Sequence, residues 1–165
     1  YDDATEAALA EVLARIDALI AMAREANRTV IVDPKGDDYG PYAGATILTP
    51  NRAELREGVG SWRDEAEFRA RAQALRESLD VRYLLLTRSE EGMTLFSSDG
   101  VIDVAAQARE VYDVSGAGDT VVAVLASMIA AGRPVDEAVR LANRAAGIVV
   151  GKLGTAAATP QELFG

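Results

Sequence analysis

Three features of the 165-residue sequence predict an α/β fold, a mostly parallel sheet flanked by helices. Short apolar runs of strand length alternate with longer stretches of helical period, the pattern of layered sheet and helix. One pair of runs, 93–96 and 101–104, brackets Ser-Ser-Asp-Gly and reads as an inserted β-hairpin. A Gly-Ala-Gly turn at 116–118 leads into an apolar stretch of helix length. No internal repeat and no composition break divides the chain, so it reads as one domain or part of one.

Each element has a local cause. Residues 4–27 are expected as an amphipathic helix, because Leu9, Val12, Leu13, Ile16, Leu19, Ile20 and Ala23 recur at helical spacing. Residues 29–33 (TVIVD) are short and β-branched, hence a strand. The stretch 34–44 carries two prolines and three glycines and reads as a loop. Residues 45–48 (ATIL) form a second short strand, closed by Thr49-Pro50. A short helix starts near Asn51. A clearer one covers 62–79, with Ser61 and Asp64 spaced as a capping box at its start. Residues 82–87 (RYLLLT) read as a buried strand, and 111–114 as extended. Helices are expected over 119–131 and 135–151, separated by Gly132 and Pro134, and Pro160 opens a last short one.

Composition narrows the chemistry. With 26 acidic residues against 17 Lys and Arg, the net charge is −9, which argues against a nucleic-acid binder held by phosphate contacts. Tyr39, Tyr42 and Trp62 are scattered, with no basic interleaving, and make a poor stacking platform. The absence of cysteine removes disulfides, thiolate nucleophiles and cysteine metal clusters, and suits a reducing compartment. The absence of histidine removes the commonest general base. Catalysis would then fall to carboxylates, Lys, Arg, hydroxyls or backbone amides. No apolar run reaches the length of a membrane span and no signal peptide is visible, so the expected location is cytoplasmic, with no membrane partner. The sequence opens at Tyr1 without an initiator Met, and is expected to be a piece of something longer.

The sharpest segment is 113–120 (DVSGAGDT). A helix starting here turns its free N–H groups and the positive end of its dipole back on the glycine turn. Gly116, Ala117 and Gly118 would form an anion hole. Asp119 stands at its mouth, where a carboxylate stays ionised and can take a proton from a hydroxyl. Phosphoryl transfer needs both parts. The plainer alternative is a glycine turn with a dipole-matched carboxylate. Lys35 also follows a strand; it could contact a phosphate of a nucleotide or a sugar, or be a solvated loop lysine.

The segment 113–120 resembles the second signature of the ribokinase/PfkB family of carbohydrate kinases. Val124 departs from that pattern, which has a small residue in its place. Further segments resemble one branch of the family, the D-glycero-β-D-manno-heptose-7-phosphate kinase domain: 33–36 (DPKG), 48–54 (LTPNRAE), 86–93 (LTRSEEGM), 108–113 (AREVYD) and 142–155 (ANRAAGIVVGKLGT). The resemblance runs through nearly the whole chain but matches only the C-terminal, nucleotide-binding half of a ribokinase-like domain. The family's N-terminal half, with its lid and sugar contacts, has no counterpart here. Neither does the adenylyltransferase domain to which this branch is often fused.

The resemblance implies ATP and Mg²⁺ as cofactors, a sugar phosphate as acceptor, and Asp119 as the base. It implies that Asn51 and Glu54 lie near the phosphates, with Glu54 holding Mg²⁺ through water. The same pair also reads as a helix cap, with Asn51 as N-cap and Glu54 three residues on. Thr87, Arg88 and Gly92 would touch the nucleotide, or form a polar turn. Asn143 and Gly154 would border the adenine, or be a polar helix face and a helix-terminating glycine. Asp113 and Ser115 would add a monovalent-cation site, with K⁺ the candidate. An exposed sheet edge is expected where strands are missing, with association between copies of the chain. The isolated chain is expected to be inactive. Two alternatives stand beside this reading: a kinase of another sugar or nucleoside, and a nucleotide-binding module without catalysis.

Overall fold

Five strands form one sheet in the computed structural model, which describes residues 11, 15–107 and 112–165. They lie across the sheet in chain order: β1 (Ile31–Val32), β2 (Ile47–Leu48), β3 (Tyr83–Thr87), β4 (Met93–Ser97) and β5 (Gly100–Val104). β1, β2 and β3 are parallel, while β4 is antiparallel to both its neighbours, so four of the five strands share one direction. The expected hairpin is therefore β4–β5, and it extends the sheet at its edge. The first two strands are shorter than the sequence suggests. Pro34 and Pro50 follow them closely and cannot donate to a ladder.

The described helices are α1 (Ile16–Glu25), α2 (Arg52–Val59), α3 (Glu65–Ser78), α4 (Ala117–Ala130), α5 (Val135–Val150) and α6 (Pro160–Phe164). Two cores lie on opposite faces of the sheet. Leu48, Leu84, Leu86 and Phe96 meet Ile20, Leu55, Phe68 and Ala72 from α1–α3. Ile47, Leu85, Met93 and Leu95 meet Val121 and Leu125 of α4 and Ala138, Val139 and Ala142 of α5. The unbroken Leu84-Leu85-Leu86 run is thus split between the cores by the two-residue period of a strand covered on both faces. Val124 joins the second core as a partly buried side chain.

Several expectations need correction. Leu9, Val12 and Leu13 lie outside the described residues. Of the remaining α1 positions Ile20 is buried, while Leu19 is 61% exposed, so the apolar face is narrower than its spacing implies. Ser61 does not cap α3. Asp64 does, accepting the Glu67 N–H at 2.8 Å, while the Glu67 carboxylate accepts the Arg63 N–H at 2.8 Å. Residues 112–114 form no strand, and Val111 lies outside the described residues; the Tyr112 and Asp113 amides bond to Val150 O at the end of α5. Helix α4 begins at Ala117, two residues before the expected start. Tyr39 and Tyr42 are core residues, edge to face at 6.2 Å. None of the described helices is long and apolar enough to cross a membrane.

Two carboxylates are depressed furthest by their partners in the fold. Glu67 is lowered to about 2 by hydrogen bonds from the Arg63 amide, the Arg63 side chain and Arg71. Glu162 is lowered to about 2 by Lys152 and by the Thr159 backbone and hydroxyl. A carboxylate depressed by folding stabilises the fold above its unfolded value of about 4.3, and loses that contribution as pH falls toward its folded value. Circular-dichroism melts should therefore give a flat Tm between pH 7 and 5 and a falling Tm from about pH 4.3 toward 2. Replacing both residues with Gln should make the acid limb shallower without abolishing it, since Glu91, Asp103 and Asp113 are also held below their usual range.

Candidate active site

A cleft of about 560 Å³ opens at the C-terminal end of β3, between the β3–β4 turn, the first turn of α4 and the flank of α5. Open parallel sheets place ligand sites at this end. Five of the expected site residues line it: Thr87, Gly92, Ala117, Gly118 and Asn143. Small residues make the space, with Ala146 and Gly147 of α5 facing Ala117 and Gly118 of α4. Asn143 is buried and its Nδ2 donates to Ala105 O at 2.8 Å. That bond fixes the orientation of the amide and leaves its oxygen as an acceptor.

The start of α4 leaves backbone amides outside the helical ladder. Gly116 is left-handed at φ +78°, where other residues are strained, and Thr155 lies 3.5 Å from where its Cβ would be. The first full helical bond runs from Thr120 N–H to Gly116 O at 2.9 Å. The Gly118 and Asp119 amides precede that bond and point out of the helix end. Asp119 is exposed in this first turn. Gly118 has ordinary helical backbone, and nothing lies within 4 Å of the position its Cβ would take. Gly118→Val should thus leave Tm unchanged or slightly raised while filling the cleft, and the ATP binding expected from the sequence should weaken at least tenfold, as read by calorimetric titration and melts (~1.4 kcal/mol is tenfold).

Three further expected residues, Lys35, Asn51 and Glu54, form a second group at the ends of β1 and β2. The Asn51 side chain accepts the Ala53 and Glu54 N–H groups at 2.9 and 3.0 Å, and Glu54 Oε2 accepts the Asn51 N–H at 2.8 Å, completing a capping box. Glu54 Oε1 takes Lys35 Nζ at 2.7 Å, and Asp33 takes the same ammonium at 2.9 Å. These bonds, that to Glu54 first, hold Lys35 well above the usual lysine range. Lys35 is thus held by two carboxylates rather than solvated alone. Among the described residues no group of three or more acidic side chains has the arrangement of a ready-made metal site.

Arg88 is absent from the cleft lining. It is buried, paired through both terminal nitrogens with Glu65 at 2.8 and 3.0 Å, and lies over the Phe68 ring. Asp113 accepts the Ser115 N–H at 2.8 Å; this bond, the Ser115 side chain and the Gly154 amide hold its carboxyl below the usual range. Gly154, at φ +71°, lies beyond the end of α5 and outside the cleft lining.

The model of pfkB family carbohydrate kinase matches residues 8–162. The chain belongs to the pfkB family of carbohydrate kinases. It is 58% identical over 154 residues to the D-beta-D-heptose 7-phosphate kinase of Bordetella bronchiseptica, covering 93% of this chain and 49% of that protein. It is 52% identical over 152 residues to the bifunctional protein HldE of Methylococcus capsulatus, covering 92% of this chain and 32% of that protein. The chain therefore spans about half the length of the first relative and a third of the second. Among solved structures, Arabidopsis thaliana ribokinase complexed with ribose and ATP superposes with a TM-score of 0.77 at 26% identity, covering 87% of this chain and 48% of that one. Phosphofructokinase-2 from Escherichia coli in complex with potassium gives 0.82 at 21% identity, covering 92% and 50%. The ribokinase-like α/β fold expected from the sequence is thereby shown.

Sequence reasoning passed over much of the lining of this cleft. Ser89, Glu90, Met93, Ala106, Gln107, Val114, Val121 and Val150 also face it. The Ala145-Ala146-Gly147 run was a readable signal, since consecutive small residues on a helix leave room beside it. The Arg88–Glu65 pair joins residues 23 apart and left no local trace.

Proposed function

We propose that the full-length protein carrying this chain transfers the γ-phosphoryl group of ATP to the anomeric hydroxyl of D-glycero-β-D-manno-heptose 7-phosphate. The product is the 1,7-bisphosphate, a step in lipopolysaccharide core heptose synthesis. Residues 1–165 act as the nucleotide-binding half of the kinase domain. The observation that carries this is the adjacency of a small-residue cleft, sized for a nucleoside, to the α4 N-terminus with Asp119 in its first turn. The acceptor follows from the high identity to heptose 7-phosphate kinase.

In this reading Asp119 takes the proton of the attacking hydroxyl. The sugar oxygen forms its bond to γ-phosphorus as the bond to the β–γ bridging oxygen breaks, and ADP leaves. The Gly116–Gly118 turn and the Gly118 and Asp119 amides face the migrating charge. Thr87, Gly92 and Asn143 shape the nucleotide pocket. Lys35, once released from Asp33 or Glu54, is within reach of a phosphate near those strand ends. Mg²⁺, when bound, neutralises phosphate charge. Glu54 fits it as a water-mediated ligand, since both its oxygens already accept hydrogen bonds. The ionised Asp113, with Ser115, suits a monovalent cation such as K⁺. The open edge of β1 and the exposed Leu19 and Met22 support association with further strands or copies. ATP-dependent chemistry on a sugar phosphate suits the cytoplasm.

The test is an acceptor panel with the full-length protein, ATP and Mg²⁺, reading kcat/KM. Heptose 7-phosphate should exceed ribose and fructose 6-phosphate by at least about 10²-fold, the scale of a lost polar recognition contact. Preference for another acceptor would move the protein to a different branch. ATP binding with no turnover on any acceptor would favour the non-catalytic alternative.

A further inference from the structure

The β3–β4 turn is a wall of the cleft, and it is held from outside. Ser89, Glu90 and Gly92 line the cleft, whereas Arg88, Glu91 and Arg52 do not. Two of its positions are left-handed, Ser89 at φ +53° and Gly92 at φ +92°. Three backbone bonds close it: Arg88 N–H to Gly92 O at 2.8 Å, and Glu91 N–H to Arg88 O and Gly92 N–H to Ser89 O, each at 3.1 Å. Its far end is jammed against the exit of β5, where a Cβ on Gly92 would lie 2.1 Å from Val104 O.

The remaining support is ionic. The Glu91 carboxylate takes Arg88 from one side and Arg52 of α2 from the other. Arg88 is itself fixed, paired with Glu65 at the start of α3 and bonded to Thr94 Oγ1 at 3.2 Å. A closed ring continues from Glu65 to Arg69 at 3.1 Å, Arg69 to Asp103 at 2.8 Å, and Asp103 back to Thr94 at 2.8 Å. Four elements, α2, α3, β4 and β5, thus converge on one four-residue turn. Exposed ion pairs contribute little to global stability, and Glu91 and Arg52 are each about two-fifths exposed. A device of this kind acts on local geometry.

We propose that Glu91, clamped between Arg88 and Arg52, is a positioning residue that presets the 89–92 turn and thereby sets nucleotide affinity rather than the rate of the chemical step. This rests on the cleft being the nucleotide site. A preset wall removes the ordering cost that ATP would otherwise meet on binding.

The experiment uses the full-length protein, with Glu91→Gln as the main variant and Arg88→Lys as the second. Lys keeps the charge but loses the paired contact with Glu65. Glu91→Gln should shift Tm by less than about 2 °C, because the buried Arg88 keeps its pair with Glu65 and the Arg52 pair is exposed. Amide exchange at 89–92 should quicken about tenfold and KM for ATP rise about 3–10-fold, with kcat within about twofold. Arg88→Lys should raise KM in the same direction with a visible fall in Tm. Unchanged exchange and KM in Glu91→Gln would overturn the proposal, as would a loss confined to kcat. Wild-type protein that binds no ATP would overturn the nucleotide reading beneath it, and the wild-type titration alone reveals that.

Discussion

Asp119→Asn in the full-length protein is expected to lower turnover by ~10²–10⁴-fold, the usual contribution of a positioned general base. ATP affinity should stay within a few-fold. The amide keeps the shape of the carboxylate, and its place in the first turn of α4 leaves the Gly118 and Asp119 N–H groups facing outward. What disappears is the ability to take a proton. Initial rates with saturating acceptor, beside an ATP titration, measure both quantities. A variant keeping more than about a tenth of wild-type turnover would return Asp119 to the role of a dipole-matched surface carboxylate.

Gly92→Ala should be among the most destabilising single substitutions in the chain, costing about 3–5 kcal/mol. Two causes coincide. At φ +92° a Cβ is strained in any surroundings, and here it would also lie 2.1 Å from Val104 O and 2.5 Å from Ala106 N. Both are backbone atoms in the segment leaving β5 and cannot turn aside. Gly100→Ala separates the two causes: φ is +128° but nothing lies within 4 Å, so only the strain remains, about 1–2 kcal/mol. Gly118→Ala has neither cause. Urea unfolding of the three variants should therefore rank them 92, 100, 118. Equal losses at 92 and 100 would show that the wall gives way easily.

Legibility in the sequence followed the range of the forces involved. The β3 run, the hairpin turn and the start of α5 were readable because propensity, turn chemistry and the helix-breaking Pro134 act within a few residues. Asn51 was readable as a cap for the same reason, and its capping box is present. The cap of α3 was misplaced by one short turn because Ser61 and Asp64 carry the same signal. The structure separates them, since it is the Asp64 carboxylate that accepts the Glu67 N–H. In α1, helical period overstated burial, since Leu19 faces solvent beside the face that Ile20 buries. The 113–120 segment was legible as a glycine turn that starts a helix. Which residues would share a cleft with it was less so, because Thr87, Gly92 and Asn143 meet Gly118 only after the sheet and both covering helices are assembled. Arg88 shows the limit most clearly: its place after a strand suggested a ligand contact, and its guanidinium is instead taken up by Glu65, Thr94 and Glu91.

Amide exchange with and without ATP on the full-length protein tests the proposed nucleotide cleft most directly. Protection should appear at 89–92 and 117–120, the two walls that meet at the C-terminal end of β3. Residues 27–29 and 80–82, which line a separate arginine-bordered cleft with Arg24 and with Thr46 just before β2, should be unaffected. Protection confined to that second cleft, with 89–92 and 117–120 exchanging as before, would contradict the assignment.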